Sequence, residues 1–145
     1  MADKTEGSIV IDAPIEKVME TIADFETYPD WIGQMKRVEI RDYDDQKRGK
    51  HVFMSVDAGF VKAEYTLEYT YLPGGTGLSW QSKEASGAVR DISGEYVLES
   101  VDDGTKVIYR AALTLGIPLP GFLKRQGEKQ MIETALKDLK RRVES

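Results

Sequence analysis

The stretch 120–143 reads PGFLKRQGEKQMIETALKDLKRRV. Met131, Ile132, Ala135, Leu136, Leu139 and Val143 recur there at helical spacing and form one apolar stripe. Lys124, Arg125, Glu128, Lys129, Glu133, Lys137, Lys140 and Arg141 fill much of the remaining surface. The pattern predicts a long amphipathic helix with one face that must be covered. Pro120 suits its start, where no N–H donor is needed. Lys140, Arg141 and Arg142 suit its end, where the helix dipole is negative. Most of the chain before Leu115 reads as strand. The simplest arrangement is a curved sheet closing over this helix, with function lying between the two.

The strands show themselves by alternation. Ile9 and Ile11 share a face in a short strand from Ser8 to Asp12. Val38 and Ile40 oppose Arg37, Glu39 and Arg41 in the stretch 36–43, and Val52, Met54 and Val56 share a face in 50–57. The clearest case is 60–72, where Val61, Ala63, Tyr65, Leu67, Tyr69 and Tyr71 alternate with Lys62, Glu64, Thr66, Glu68 and Thr70. One face of that strand is apolar and the other wet. Pro73-Gly74-Gly75 ends it. Leu78 and Trp80 mark the inner face of the next strand; Ile92, Tyr96 and Leu98 mark that of the one after. A three-residue loop Ala85-Ser86-Gly87, with Gly87 left-handed, would match these faces and pair Trp80 with Ile92 and Ser82 with Arg90. Asp102-Asp103-Gly104 turns into the last strand, 105–115, with Val107, Tyr109, Ala111 and Leu113 inward. Gly116 to Pro120 leads into the final helix.

Between the first and second strands lies a short helix, with Pro14 at its first position, Glu16 near its positive end, and Ile15, Val18, Met19 and Ile22 as its stripe. The segment DFETYPDW, Asp24 to Trp31, interrupts it. Pro29 disfavours helix at Tyr28, and the segment reads as a second, short, irregular helix against the sheet. The order is strand, two helices, six strands, long helix. The expected class is α+β: a curved seven-stranded antiparallel sheet around a C-terminal helix, forming one domain over 1–145.

Composition sets limits on function. The chain has 145 residues and a net charge of -5, with signs interspersed, which argues against tight nucleic-acid binding. It has no Cys, so disulfides, thiolate metal sites and a cysteine nucleophile are excluded. Its single His, His51, falls on an outer face, and the acidic residues Asp42, Asp44 and Asp45 sit in a turn beside Lys47 and Arg48. No metal and no cofactor are expected. No apolar run is long enough for an integral membrane segment, and the first residues lack a signal-peptide core. A cytoplasmic protein, monomeric or weakly dimeric, is the expectation.

Ile11-Asp12-Ala13-Pro14 before a helix, and Asp24-Phe25 to Tyr28-Pro29-Asp30-Trp31 after it, resemble the START-like, helix-grip superfamily. The likeness covers essentially the whole chain. It is strongest to the branch of polyketide cyclases/dehydrases and lipid-transport proteins, which includes ubiquinone-binding proteins of the Coq ten type. The resemblance implies an elongated apolar cavity between the sheet and the C-terminal helix. It implies no particular chemistry, because members include lipid carriers, hormone receptors and cyclases.

On the residues themselves, the expected inner face carries Tyr65, Tyr69, Tyr71, Trp80, Tyr96 and Tyr109. Either these pack as plain core, or they line a cavity whose polar tips orient a ligand. A dry core would need a partner for every phenol, which favours the cavity. Arg90, in phase with Ile92 and Tyr96, is expected to point inward and to need Glu84, a ligand oxygen or the mouth. Gly127 and Met131 are candidates for the helix wall of the cavity; Gly7 stands alone and is given no role. The ligand-binding set is Tyr65, Leu67, Tyr69, Trp80, Arg90, Tyr96, Tyr109, Gly127 and Met131. No Ser or Thr has a His and Asp context, so a catalytic triad is unsupported. Three functions fit: a carrier or sensor for a small apolar molecule such as a lipid, isoprenoid or polyketide; a cyclase or dehydratase using the same cavity; or an interaction protein with a closed core.

Overall fold

The computed structural model describes residues 5–58, 61–116 and 120–145. The expected strand start at Phe60, the inward face of Val61 and the approach through 117–119 lie outside the described residues or side chains. The chain forms β1 (Thr5–Ile11), α1 (Ile15–Ala23), a 3-10 turn (Phe25–Thr27), α2 (Tyr28–Trp31), β2 (Met35–Tyr43) and β3 (Gly49–Ala58). These are followed by β4 (Val61–Tyr71), β5 (Gly77–Gly87), β6 (Val89–Val101), β7 (Gly104–Leu115) and α3 (Gly121–Glu144). The seven strands make one antiparallel sheet in the order β1-β7-β6-β5-β4-β3-β2. Consecutive hairpins build β2 to β7, and β1 returns to pair with β7. The α1–α2 segment crosses from one edge of the sheet to the other. This is the expected helix-grip fold.

α3 is 24 residues long, about 36 Å at helical rise. Its stripe Ile132, Leu136, Leu139 and Val143 is buried, each side chain contributing about 1.5–3 kcal/mol. The helix approaches β1 and β7 most closely, and also meets α1 and α2. β1 admits it at Gly7: a Cβ there would lie 2.7 Å from Ile132 Cγ2. Gly7, unremarked in the sequence pattern, is therefore where helix and sheet touch. On the other side of the core, Val18 and Ile22 of α1 are fully buried with Ile11, Leu78 and Val107. Thr105, also fully buried, donates its hydroxyl hydrogen bond to the Ala13 carbonyl and ties the start of β7 to the start of α1.

Both prolines at helix starts sit one position earlier than expected. Pro14 and Pro120 occupy extended cap positions, and the helices begin at Ile15 and Gly121. Tyr28 is helical (φ -52°, ψ -42°) despite preceding Pro29. Tertiary contacts outweigh the local preference here: its ring packs edge-on to Phe25 and Trp31, and its hydroxyl donates to the Ile22 carbonyl.

The β5–β6 register differs from the expected one. Trp80 pairs with Gly94, not Ile92, a shift of two residues that keeps the faces but moves the partners. A Cβ on Gly94 would come within 2.7 Å of Trp80 Cζ2, so the indole requires a glycine opposite it. Beyond Gln81 the two strands part, and the end of β5 stays with β4. There the Ser82 hydroxyl donates to the Asp91 carboxylate and accepts from the Ile92 N–H, replacing ladder bonds. Gly87 is left-handed as expected (φ 81°), but it ends a strand and is not the third residue of a tight loop.

Candidate functional site

The concave face of the sheet carries one continuous row of aromatic rings. It runs from Trp31 through Tyr28 and Phe25 to Tyr69, then Trp80, Tyr96 and Tyr109. Neighbouring ring centroids lie between 4.4 Å (Phe25–Tyr69) and 5.9 Å (Tyr69–Trp80), mostly tilted or edge-to-face, as ring quadrupoles prefer. Strand alternation puts these side chains on one face; cross-strand pairing of Tyr69 with Trp80 and of Tyr96 with Tyr109 brings them into contact. Tyr65 and Met131 pack at the margin of the same core, and Leu67 is buried within it.

The phenols distinguish this face from an ordinary core. Among the described residues, the hydroxyls of Tyr65, Tyr69, Tyr96 and Tyr109 make no hydrogen bond within the protein. The one unpaired side-chain polar atom there that is sealed from water-sized contact is Trp31 Nε1. The four hydroxyl oxygens therefore border space that a water-sized group reaches, although the rings are deep in the protein. Burial raises the ionisation of Tyr69 and Tyr96 well above the ordinary phenol value, with neighbouring phenols adding to the effect. Burial raises Tyr65 in the same direction and Tyr109 to about 12. At neutral pH all four are uncharged hydrogen-bond donors. Tyr71 is different: its hydroxyl donates to the Gly49 carbonyl at 2.8 Å and its ring lies under the Arg48 guanidinium, so it belongs to the rim.

Arg90 is not part of this face. The β6–β7 register slips between Val89 and Asp91, so Val89 takes the buried position and Arg90 is exposed. A one-residue bulge resets the phase that joined Arg90 to Ile92. It also keeps a guanidinium out of a site where a lone buried charge would be costly. Gly127 is exposed as well, and a Cβ there would meet nothing within 4 Å. Of the nine expected ligand-binding residues, the structure brings Tyr69, Trp80, Tyr96 and Tyr109 into ring contact, sets Tyr65, Leu67 and Met131 around them, and leaves Arg90 and Gly127 outside.

Glu128 is a residue that pattern reading assigned to the polar surface. It is only 4% exposed. Its carboxylate accepts from the Leu113 N–H at 3.2 Å and the Thr5 hydroxyl at 3.4 Å, with Lys124 Nζ 3.9 Å away. Leu113 lies beyond the described start of β1, so its N–H has no β1 carbonyl opposite it there. The signal was present in the spacing, since Glu128, Ile132 and Leu136 follow one another at four-residue steps.

The convex face is charged. Arg110 bridges Glu6 and Glu95, which raises its already high pKa through hydrogen bonding. His51 sits outside, as expected, 3.2 Å from both Asp42 and Glu68. Asp44 closes its turn by accepting from the Gln46 and Arg48 N–H groups and pairing with Arg48, which holds its carboxyl below the usual range. Among the described residues no three His, Asp or Glu side chains converge as metal ligands, and no helix is long and apolar enough to cross a membrane. Two surface grooves lie away from the aromatic row. One runs between Trp31–Gln34 and the end of α3, the other beside Asp12, Asp102 and Lys140; both are shallow and flanked by charge. The inner-face phenols, not these grooves, carry the chemistry of the site.

A helix-grip fold with an aromatic inner wall defines the class. The profile described as "Polyketide cyclase / dehydrase and lipid transport" matches residues 2–144, and the chain belongs to that family. No curated protein matches the chain. Among solved structures, it is similar to a START superfamily protein from Mycobacterium smegmatis, with TM-score 0.89, 16% identity, and 97% of each chain covered. It is also similar to the Zhui aromatase/cyclase from Streptomyces sp. R1128, with TM-score 0.77, 18% identity, and 99% and 94% of the two chains covered. A STAR-related lipid transfer protein from Xanthomonas axonopodis aligns with TM-score 0.72 and 15% identity over 98% and 86% of the chains. At these identities the likeness establishes the fold.

Proposed function

We propose that this protein binds a small hydrophobic molecule bearing oxygen acceptors, of lipid, isoprenoid or polyketide type, between the concave sheet face and α3. The observation that carries this reading is the set of four deep phenol hydroxyls without protein partners. Aromatic rings supply apolar area, and neutral hydroxyls supply donors for a carbonyl, ether or hydroxyl oxygen. Tyr65, Leu67, Tyr69, Trp80, Tyr96, Tyr109 and Met131 are the proposed contacts, and flexible Met131 can repack around ligands of differing shape. A cyclase would need a group that removes a proton from carbon. Phenols whose ionisation is raised by burial donate protons in hydrogen bonds and are poor bases at neutral pH. The geometry therefore favours binding and transport over catalysis.

Fluorescence titration, read through Trp80, tests this with quinones, fatty acids and polyphenols against hydrocarbons of equal size. Tyr96→Phe or Tyr109→Phe removes a hydroxyl that has no internal partner, so stability should change by less than about 0.5 kcal/mol. Affinity for an oxygenated ligand should fall by about 1 kcal/mol, roughly fivefold, while hydrocarbon binding holds. Equal loss for both ligand types, or shifts confined to outer-face residues such as Lys62, Glu64 and Glu68, would reject the reading in favour of a closed interaction protein.

A further inference from the structure

The first turns of α3 expose two adjacent large apolar side chains. Phe122 is 63% exposed and Leu123 44%. The other large exposed apolar residues described, Val10, Tyr43 and Val101, are single residues on separate strands. Gly127, one turn after Leu123, adds no side chain to this side of the helix. The charges of this segment complete the pattern. Lys124, Arg125 and Lys129 are its cations, and its one carboxylate, Glu128, is turned inward to Thr5 and Leu113. In a chain of net charge -5, this end of α3 thus presents positive charge only. The placement is also locally unfavourable: cations crowd the positive end of the helix dipole, and the first turn has no acidic residue. Folding alone does not explain it, whereas an external anionic surface relieves it.

We propose that this end of α3 docks on an anionic lipid bilayer. Phe122 and Leu123 enter the boundary between headgroups and acyl chains, and Lys124, Arg125 and Lys129 meet lipid phosphates. Two apolar side chains are too small a patch for a stable protein interface, which needs on the order of 1,000 Å². They suffice for weak, reversible insertion assisted by charge. The inference stands independently of the aromatic cavity, because it rests on the outer side of the helix.

The test is co-sedimentation of the full chain with vesicles of phosphatidylcholine alone or of phosphatidylcholine with phosphatidylglycerol, at low and high salt. Wild type should sediment with the anionic vesicles and be released by salt. Phe122→Ser with Leu123→Ser should lower partitioning at least about tenfold. Each of Lys124→Gln, Arg125→Gln and Lys129→Gln should lower it about fivefold. Circular dichroism melts confirm that the variants are folded, and ligand titration in solution should be unchanged in the Phe122/Leu123 variant. Wild type that ignores anionic vesicles, or a folded Phe122/Leu123 variant that sediments as well as wild type, overturns the proposal. Retention on an acidic protein matrix through the same lysines, without vesicle binding, overturns it too.

Discussion

Trp80 lies across Gly94, and that single juxtaposition sets the register of the two central strands. Inner-face membership was legible from alternation, because a two-residue slip leaves every side chain on its face. The partner was not legible, since nothing in a period-two pattern distinguishes Ile92 from Gly94 as the residue opposite an indole. Steric volume decides it. Gly94→Ala would place a methyl group 2.6 Å from the Arg110 carbonyl oxygen and 2.7 Å from the indole. Neither the backbone nor a ring wedged between Tyr69, Tyr96 and Tyr109 yields easily. The substitution should destabilise by about 1–3 kcal/mol and change the Trp80 fluorescence of the folded state. Unchanged denaturation midpoint and emission would show that the indole does not rest on this glycine. Arg90 failed at the same scale for a related reason: a bulge inserts one residue, and phase carried across it is wrong from there on.

Among the elements, α3 was the most legible, because a stripe of six apolar residues at helical spacing has few other uses. Its polar contact was hidden by residue type. Glu128 reads as surface, yet its four-residue step to Ile132 puts it on the buried stripe, where it receives the Leu113 N–H and the Thr5 hydroxyl. The helix is therefore held in two ways: apolar burial along its C-terminal half, and a carboxylate clasp to β1 and β7 nearer its start. Glu128→Ala should leave a buried N–H without a partner and cost about 1–3 kcal/mol. The loss should be local. Hydrogen exchange should quicken at Leu113 and in the first turns of α3, while amides around Leu136 and Leu139 keep their protection. Uniform loss of protection along the helix would mean that α3 releases as one body and that the clasp has no separate role.

At the scale of the whole molecule, the aromatic row makes stability depend on alkaline pH, with a sign that follows from burial. Desolvation raises the phenols of Tyr28, Tyr65, Tyr69, Tyr96 and Tyr109 above their ordinary value of 10.0, Tyr109 to about 12. Below pH 10 the folded and unfolded chains both keep these protons, and the full stability is present. Above it the unfolded chain releases them while the folded chain retains them, so the unfolded state binds fewer protons and stability falls as pH rises. Each buried phenol then removes about 1.4 kcal/mol per pH unit until its own folded value is reached. With several phenols acting together, a domain of ordinary stability should unfold cooperatively between pH 10 and about 12. Tyrosinate absorbance and circular dichroism should change in one step. Tyr69→Phe, by removing one ionisable group, should move the transition to higher pH. A ligand seated on the row should move it further, because it binds only the folded state. If the tyrosinate signal of these phenols developed near pH 10 while the fold stayed intact, the row would be solvated, and both the buried aromatic wall and the binding function built on it would fail together.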